Sequence, residues 1–165
     1  MQFSNITARK ATSNDFDAIW EIFHSVIKTG DTYSYAPNTT REEAFTLWMN
    51  PQKTTYIATM DGSIVGTYFI TPNQPGLGSH VANGAYMVHP ATQGKGVGTF
   101  MVNHSVEEAK KLGYLAMQFN LVFSSNEHAV RLYQKLGFNI IGTTPKGVNH
   151  TVKGLIDTYI MHRYL

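Results

Sequence analysis

The stretch that most limits what this chain can become is Gln93-Gly94-Lys95-Gly96-Val97-Gly98, preceded by Val88-His89-Pro90. Three glycines at alternate positions make a poor helix interior, because glycine surrenders the most backbone entropy on ordering. They make a good wrapping loop, since no Cβ holds the backbone away from a ligand. Residues 99–112 then read as a helix, with Gly113 placed to end it. A glycine-rich loop running into a helix N-terminus presents unpaired N–H groups and the positive end of the helix dipole. That is an anion site, and phosphate is its usual occupant. Lys95 adds a full positive charge. The amides from Gly94 to Thr99 are therefore expected to hold a pyrophosphate, the plainer alternative being a turn that merely caps a helix.

Other phosphate motifs fit worse. Gly-x-x-x-x-Gly-Lys-Ser/Thr is absent, and Gly-x-Gly-x-x-Gly fails because Thr99 stands where the third glycine belongs. The 165 residues predict one domain, 1–165, large enough to bury a core without staples. No apolar run approaches the ~18 residues of a membrane helix, and residues 1–5 lack the basic-then-apolar pattern of a signal peptide. The lack of cysteine excludes disulfides, a thiol nucleophile and a zinc–thiolate site, and fits a cytoplasmic setting. A net charge of +2 without a basic run gives no case for nucleic acid. The seven histidines are scattered, with no His-x-x-x-His pair, so no metal is expected.

Residues 6–11 alternate as a first strand. Phe16, Ile19, Trp20, Phe23, Val26 and Ile27 recur at helical spacing after a cap at Ser13 or Asn14, until Gly30. The loop 31–37 carries Tyr33 and Tyr35, aromatics that either fold back on the core or wall a pocket. Thr40 with Glu43 reads as a capping box for a short helix closed by Asn50-Pro51. Asp61-Gly62 between apolar runs predicts a hairpin. Residues 80–88 form a further strand, in which Gly84 signals a bulge or a close backbone approach. Residues 115–123 read as a strand with Gln118 and Asn120 on its polar side. Ser124-x-x-Glu127 reads as the box opening a helix over 125–136, with Ala129, Leu132, Tyr133 and Leu136 on one face. A strand at 138–142, a long polar loop at 143–154 and a strand at 155–164 complete the chain. The order β-α-α-β-β-β-α-β-α-β-β predicts a mixed sheet with helices on both faces.

Between Tyr86 and Phe138 the motifs accumulate. Gln93 to Gly98 fits Gln/Arg-x-x-Gly-x-Gly/Ala, and Met87-Val88-His89-Pro90 fits the strand end before it. Asn126, Ala129, Tyr133 and Leu136-Gly137-Phe138 fit Asn-x-x-Ala-x-x-x-Tyr-x-x-x-Gly-Phe. In this order and spacing the chain resembles the GNAT superfamily of acetyl-CoA-dependent N-acetyltransferases. The resemblance implies an α/β (α+β) GNAT fold, a mostly antiparallel sheet with a splay between its fourth and fifth strands. It implies acetyl-CoA as donor substrate, without a metal. The pyrophosphate would lie on Gln93, Gly94, Lys95, Gly96, Val97, Gly98 and Thr99. The pantetheine arm would run along Met87 and Val88 and past Asn126. Tyr133 would be the general acid that protonates the departing thiolate.

The attacking amine must first lose a proton. Many family members place a glutamate where this chain has Asn83, which cannot act as a base; either a water chain does the work, or the substrate arrives neutral, or His80 or Asp157 substitutes, and no base is assigned. Asn83 and Asn120 are amides in otherwise apolar strands, and are read either as substrate ligands or as core hydrogen-bonding groups. The wording around them resembles the branch containing the fungal proline-analogue acetyltransferases. The Tyr33-Tyr35 loop resembles the pocket-side loop of small-amine enzymes such as phosphinothricin acetyltransferase. The implied acceptor is a small amino or imino acid, in a pocket lidded by the two tyrosines and loop 143–154. Two other readings stay open: acetylation of a protein N-terminus or lysine, and a non-catalytic acyl-CoA sensor, which the missing carboxylate at Asn83 keeps open. A homodimer is common in such proteins, often through the C-terminal strands.

Overall fold

The computed structural model describes residues 5–165; residues 1–4, part of the stretch read above for a leader, lie outside the described residues. The elements follow in the expected order: β1 (Ile6–Lys10), α1 (Phe16–Ile27), α2 (Arg41–Trp48), β2 (Thr54–Met60), β3 (Ser63–Pro72), β4 (Val81–Val88), α3 (Val97–Lys111), β5 (Ala116–Phe123), α4 (Glu127–Lys135), β6 (Asn139–His150) and β7 (Gly154–Tyr164). They build one sheet in the order β1-β2-β3-β4-β5-β7-β6, antiparallel except where β4 meets β5.

Strand alternation divides side chains between two cores. Tyr56, Ala58, Tyr68, Ile70 and Tyr86 pack with α3, whereas Ile57, Phe69 and Met87 pack with α1 and α2. Helices therefore cover both faces. Trp48 is fully buried in the second core, and its Nε1–H donates to Thr67 Oγ1 at 2.9 Å, so the polar edge of the indole is satisfied. The Thr40–Glu43 box closes, with Glu43 N–H donating to Thr40 Oγ1 at 3.2 Å and Thr40 N–H to Glu43 Oε2 at 2.8 Å. Asp61 and Gly62 take φ of 51° and 82°, the tight hairpin turn that needs positive φ at both positions.

The entry to α1 differs from the expectation. Neither Ser13 nor Asn14 caps it; Thr12 and Asp15 form the box, with Thr12 N–H donating to Asp15 Oδ2 at 2.7 Å. Arg9 donates to both carboxylate oxygens at 2.8 Å. These bonds, Arg9 first, hold the Asp15 pKa at about 2. A depressed folded-state pKa stabilises the fold above the ordinary carboxylate range, and that stability is lost as pH falls through about 2. Asp15→Asn should thus cost roughly 1 kcal/mol at neutral pH. Melting curves of the two proteins should converge as the pH is lowered through that window.

Two further expectations are corrected. Strand β6 continues to His150, so most of the supposed 143–154 loop is strand, paired with β7 again from Val148↔Ile156 to His150↔Gly154. It read as loop because β6 is the sheet edge and most of its residues are exposed, so no apolar alternation is required. Pro145 and Lys146 (φ 50°) occupy the register break between Thr144 and Val148. Strand β4 carries no bulge: its register with β3 runs unbroken from Gly66↔Val88 to Pro72↔Ala82. Gly84 answers the other requirement, close approach. A Cβ there would lie 3.0 Å from the Phe69 carbonyl oxygen and 3.2 Å from the Tyr86 hydroxyl. The bulge lies in β5 instead, between Phe119 and Val122 opposite β7. The splay is present: β4 and β5 pair only at Val81↔Ala116 and Ala82↔Met117, then part.

Candidate active site

A cavity of about 1070 Å³ opens where β4 and β5 part. The N–H of His89 donates to the Val65 carbonyl, and that of Asn73 to the Val81 carbonyl, each at 2.8 Å. Odd-numbered residues of β4 thus spend their backbone groups on β3, and Gly84, Tyr86 and Val88 aim theirs into the gap. Side chains stand in for the missing strand along part of this edge. Asn83 Oδ1 accepts from Gly84 N–H at 2.7 Å. The Tyr33 hydroxyl accepts from Tyr86 N–H at 2.9 Å and donates to the Tyr86 carbonyl. No described group takes the Val88 N–H. Met87 does not share that edge, because its backbone is turned to β3 and its side chain is buried against the α1 core.

At one end of the cavity Gly94 and Gly96 take φ of 76° and 83°, which side chains rarely adopt. Gly96 is the N-cap of α3 and brings no side-chain oxygen, so the first N–H groups of α3 lack the acceptor that Thr40 gives α2 and Asn126 gives α4. Gln93, Lys95, Val97, Gly98 and Thr99 line the same end, and Lys95 makes no ion pair among the described residues. Uncompensated N–H groups, a helix dipole and a free ammonium together fit a phosphate group. Asn126 caps α4 in place of the predicted Ser124: its Oδ1 accepts from Ala129 N–H at 3.2 Å. Its Nδ2 has no protein partner among the described residues and remains for the cavity it lines.

Midway, the Tyr133 ring packs 4.6 Å from Phe119 and 6.4 Å from Tyr86. Its hydroxyl bonds no described protein group. Burial raises its pKa above the usual phenol value, so the phenol stays protonated through the physiological range. Burial likewise pushes Tyr33 well upward.

The far end is walled by the α1–α2 loop. Tyr33 and Tyr35 stack 6.0 Å apart, and Tyr35 packs 5.3 Å from Phe23. The loop therefore both folds on the core and lines the cavity. Asn83 and Asn120 both line it. Asn120 is also tied into a run of amides, donating to Asn73 Oδ1 at 2.7 Å and accepting from Gln118 Nε2 at 3.1 Å. His80 and Asp157 lie outside the cavity: His80 Nδ1 bonds the Leu77 carbonyl, and Asp157 accepts from Lys146 N–H at 2.9 Å. Residues 143–154 do not line it either, and no aspartate or glutamate does. Sequence reasoning missed Tyr86, whose backbone carries the Tyr33 bond, although its even parity with Val88 could have revealed it. It also missed His128, on the first turn of α4 at the cavity, for which no local pattern gave a signal.

The model of the GNAT acetyltransferase family matches residues 16–138. Among curated proteins, the N-acetyltransferase aca1 of Schizosaccharomyces pombe is 36% identical over 101 residues, 59% of this chain and 47% of the yeast protein, so the match spans about half of that relative. The L-amino acid N-acetyltransferase AaaT of Escherichia coli is 26% identical over 97% of this chain and 98% of its own. A GCN5-related N-acetyltransferase from Kribbella flavida superposes with a TM-score of 0.92 at 39% identity, covering 97% of this chain and 98% of that one. With most of the chain inside the family model and a relative of 39% identity superposing over nearly its whole length, the chain belongs to the GNAT family of acetyltransferases.

Proposed function

We propose that this protein moves an acetyl group from acetyl-CoA to the amine of a small metabolite of the amino- or imino-acid class. The observation that carries the reading is one continuous cavity. It runs from the uncapped start of α3, along the uncovered β4 edge and past the partnerless Tyr133 hydroxyl, to a wall of neutral polar groups. The amides of 94–99 with Lys95 bind the pyrophosphate. Val88 N–H pairs with the pantetheine arm as an added strand would. Tyr86 N–H, which already meets an oxygen at 2.9 Å, takes the thioester carbonyl when Tyr33 yields it. Tyr133 supplies a proton to the sulfur as the C–S bond breaks and the new C–N bond persists; the proton shed by nitrogen restores the phenol through water. AaaT, similar over nearly its whole length and named for L-amino acids, supports the acceptor class.

Among the described residues no carboxylate lines the cavity, and His128 is the one imidazole that does; in this reading the amine deprotonates in solution before attack. The acceptor kcat/KM should then rise about tenfold per pH unit below the amine's own pKa. An acceptor of lower pKa should shift the rise by the same amount. An inflection that stays fixed when the acceptor changes would reveal an enzyme base. The acceptor class is tested by CoA-thiol release across amino acids, cyclic imino acids, polyamines and peptides; activity with peptides alone would overturn it.

A further inference from the structure

We infer that the β6–β7 turn anchors the acceptor wall, with His150 and Asp31 as positioning residues that set the Tyr33 hydroxyl on the Tyr86 edge. The inference rests on the acceptor-site reading given above. The connection between α1 and α2 has no helix or strand over residues 28–40, yet it delivers one hydroxyl to one backbone position 53 residues away. A segment of that kind needs an external hold, because ordering each residue costs about 1–2 kcal/mol of backbone entropy.

The hold comes from the last hairpin. His150 is only 3% exposed, at the end of β6. Its Nδ1 accepts from the N–H groups of Val152 and Lys153, each at 3.1 Å. Two donors on Nδ1 place the ring proton on Nε2, which lies 2.8 Å from Asp31 Oδ1 and donates to it. The same turn makes a second contact: Thr151 Oγ1 donates to the Thr29 carbonyl at 3.2 Å. Its methyl group presses on Gly30, where a Cβ would stand 2.3 Å from Thr151 Cγ2. Phe123, which lines the cavity, lies edge-on to the imidazole at 6.3 Å. The turn therefore grips the loop at residues 29–31, immediately before Tyr33. Within the turn itself His150 uses only Nδ1; its Nε2 reaches across to the loop.

The test uses Asp31, whose side chain is 62% exposed, so its replacement leaves no hole in the core. Asp31→Ala should speed hydrogen exchange at the Tyr86 amide by about tenfold. It should raise the acceptor KM about five- to tenfold and not raise the acetyl-CoA KM, since a loosened Tyr33 competes less with the thioester carbonyl for the Tyr86 N–H. Asp31→Asn keeps an oxygen for Nε2–H and should restore both readouts. Unchanged Tyr86 exchange in folded Asp31→Ala, or equal rises in both KM values, would overturn the anchor. If the wild-type protein acetylates no small amine, the functional reading fails, while the Tyr86 exchange rate still decides whether His150 and Asp31 position Tyr33.

Discussion

Tyr133→Phe should lower kcat by about 10²-fold or more while acetyl-CoA binds within about twofold of the wild-type affinity. The substitution removes one hydroxyl and nothing else. The ring keeps its packing against Phe119 and Phe138. No described protein group loses a hydrogen bond, since none bonds that oxygen. The melting temperature should be unchanged or slightly higher, because deleting an unpartnered hydroxyl from a buried setting does not weaken the fold. The deficit should also depend on pH. A thiolate departing near or above its own pKa, about 8.5 for a simple thiol, needs no acid, so the gap between the two proteins should narrow toward pH ~9. Thiol release measured against pH, with calorimetric titration of acetyl-CoA, checks both parts. A full-strength Tyr133→Phe enzyme would move the proton donor elsewhere. A wild-type protein that binds CoA tightly and releases no thiol with any amine would favour the sensor reading.

Local signals carried most of this architecture. The Asp61-Gly62 turn and the Thr40–Glu43 box each depend on residues within four positions of one another, and each formed as expected, while Gly94 and Gly96 take the positive φ that a glycine loop allows. Two local caps were misplaced by one or two residues, Thr12 with Asp15 standing in for Ser13 or Asn14 and Asn126 for Ser124; the larger misses depended on distant partners. Strand β6 looked like loop beyond 142 because an exposed edge strand needs no buried stripe, and its pairing with β7 supplies the order. Gly84 in a strand signals either a bulge or a close approach, and the unbroken register with β3, with the Phe69 carbonyl and the Tyr86 hydroxyl beside Gly84, decides for the second. From the sequence Asn83 and Asn120 read either as substrate ligands or as core hydrogen-bonding groups. Both reach the cavity, but one oxygen is spent on Gly84 N–H and the other amide on Asn73 and Gln118. The Tyr33–Tyr86 bond joins residues 53 apart through a loop without repeating pattern, so no periodicity could have announced it.

Gly98→Leu should raise the acetyl-CoA KM at least about 30-fold, whereas Gly98→Ala should change it less than about threefold. Gly98 is the second residue of α3, and its φ lies outside the left-handed region, so the backbone accepts a side chain. A Cβ there would sit 3.8 Å from Leu132 Cδ2 and from Val88 Cγ2, ordinary contact distances. Alanine therefore fits, as the motif's Gly/Ala alternative implies. The same vector points between β4 and α4, toward the slot that must carry the ligand from the phosphate cradle to the uncovered Val88 edge. Leucine extends three carbons further and fills that slot. Leucine is also better than glycine in a helix by roughly 0.5–1 kcal/mol, so the variant should melt at the wild-type temperature or above, and lost binding cannot be ascribed to lost folding. Gly96 offers no such separation. Its φ of 83° makes any side chain there strained by about 1–2 kcal/mol, disturbing cap and cradle together. Calorimetric titration of acetyl-CoA into the two Gly98 variants, beside their melting curves, gives the answer without turnover. Wild-type affinity in a stable Gly98→Leu protein would mean that the ligand does not pass between β4 and α4, and the roles given to Val88 and Asn126 would fall with it.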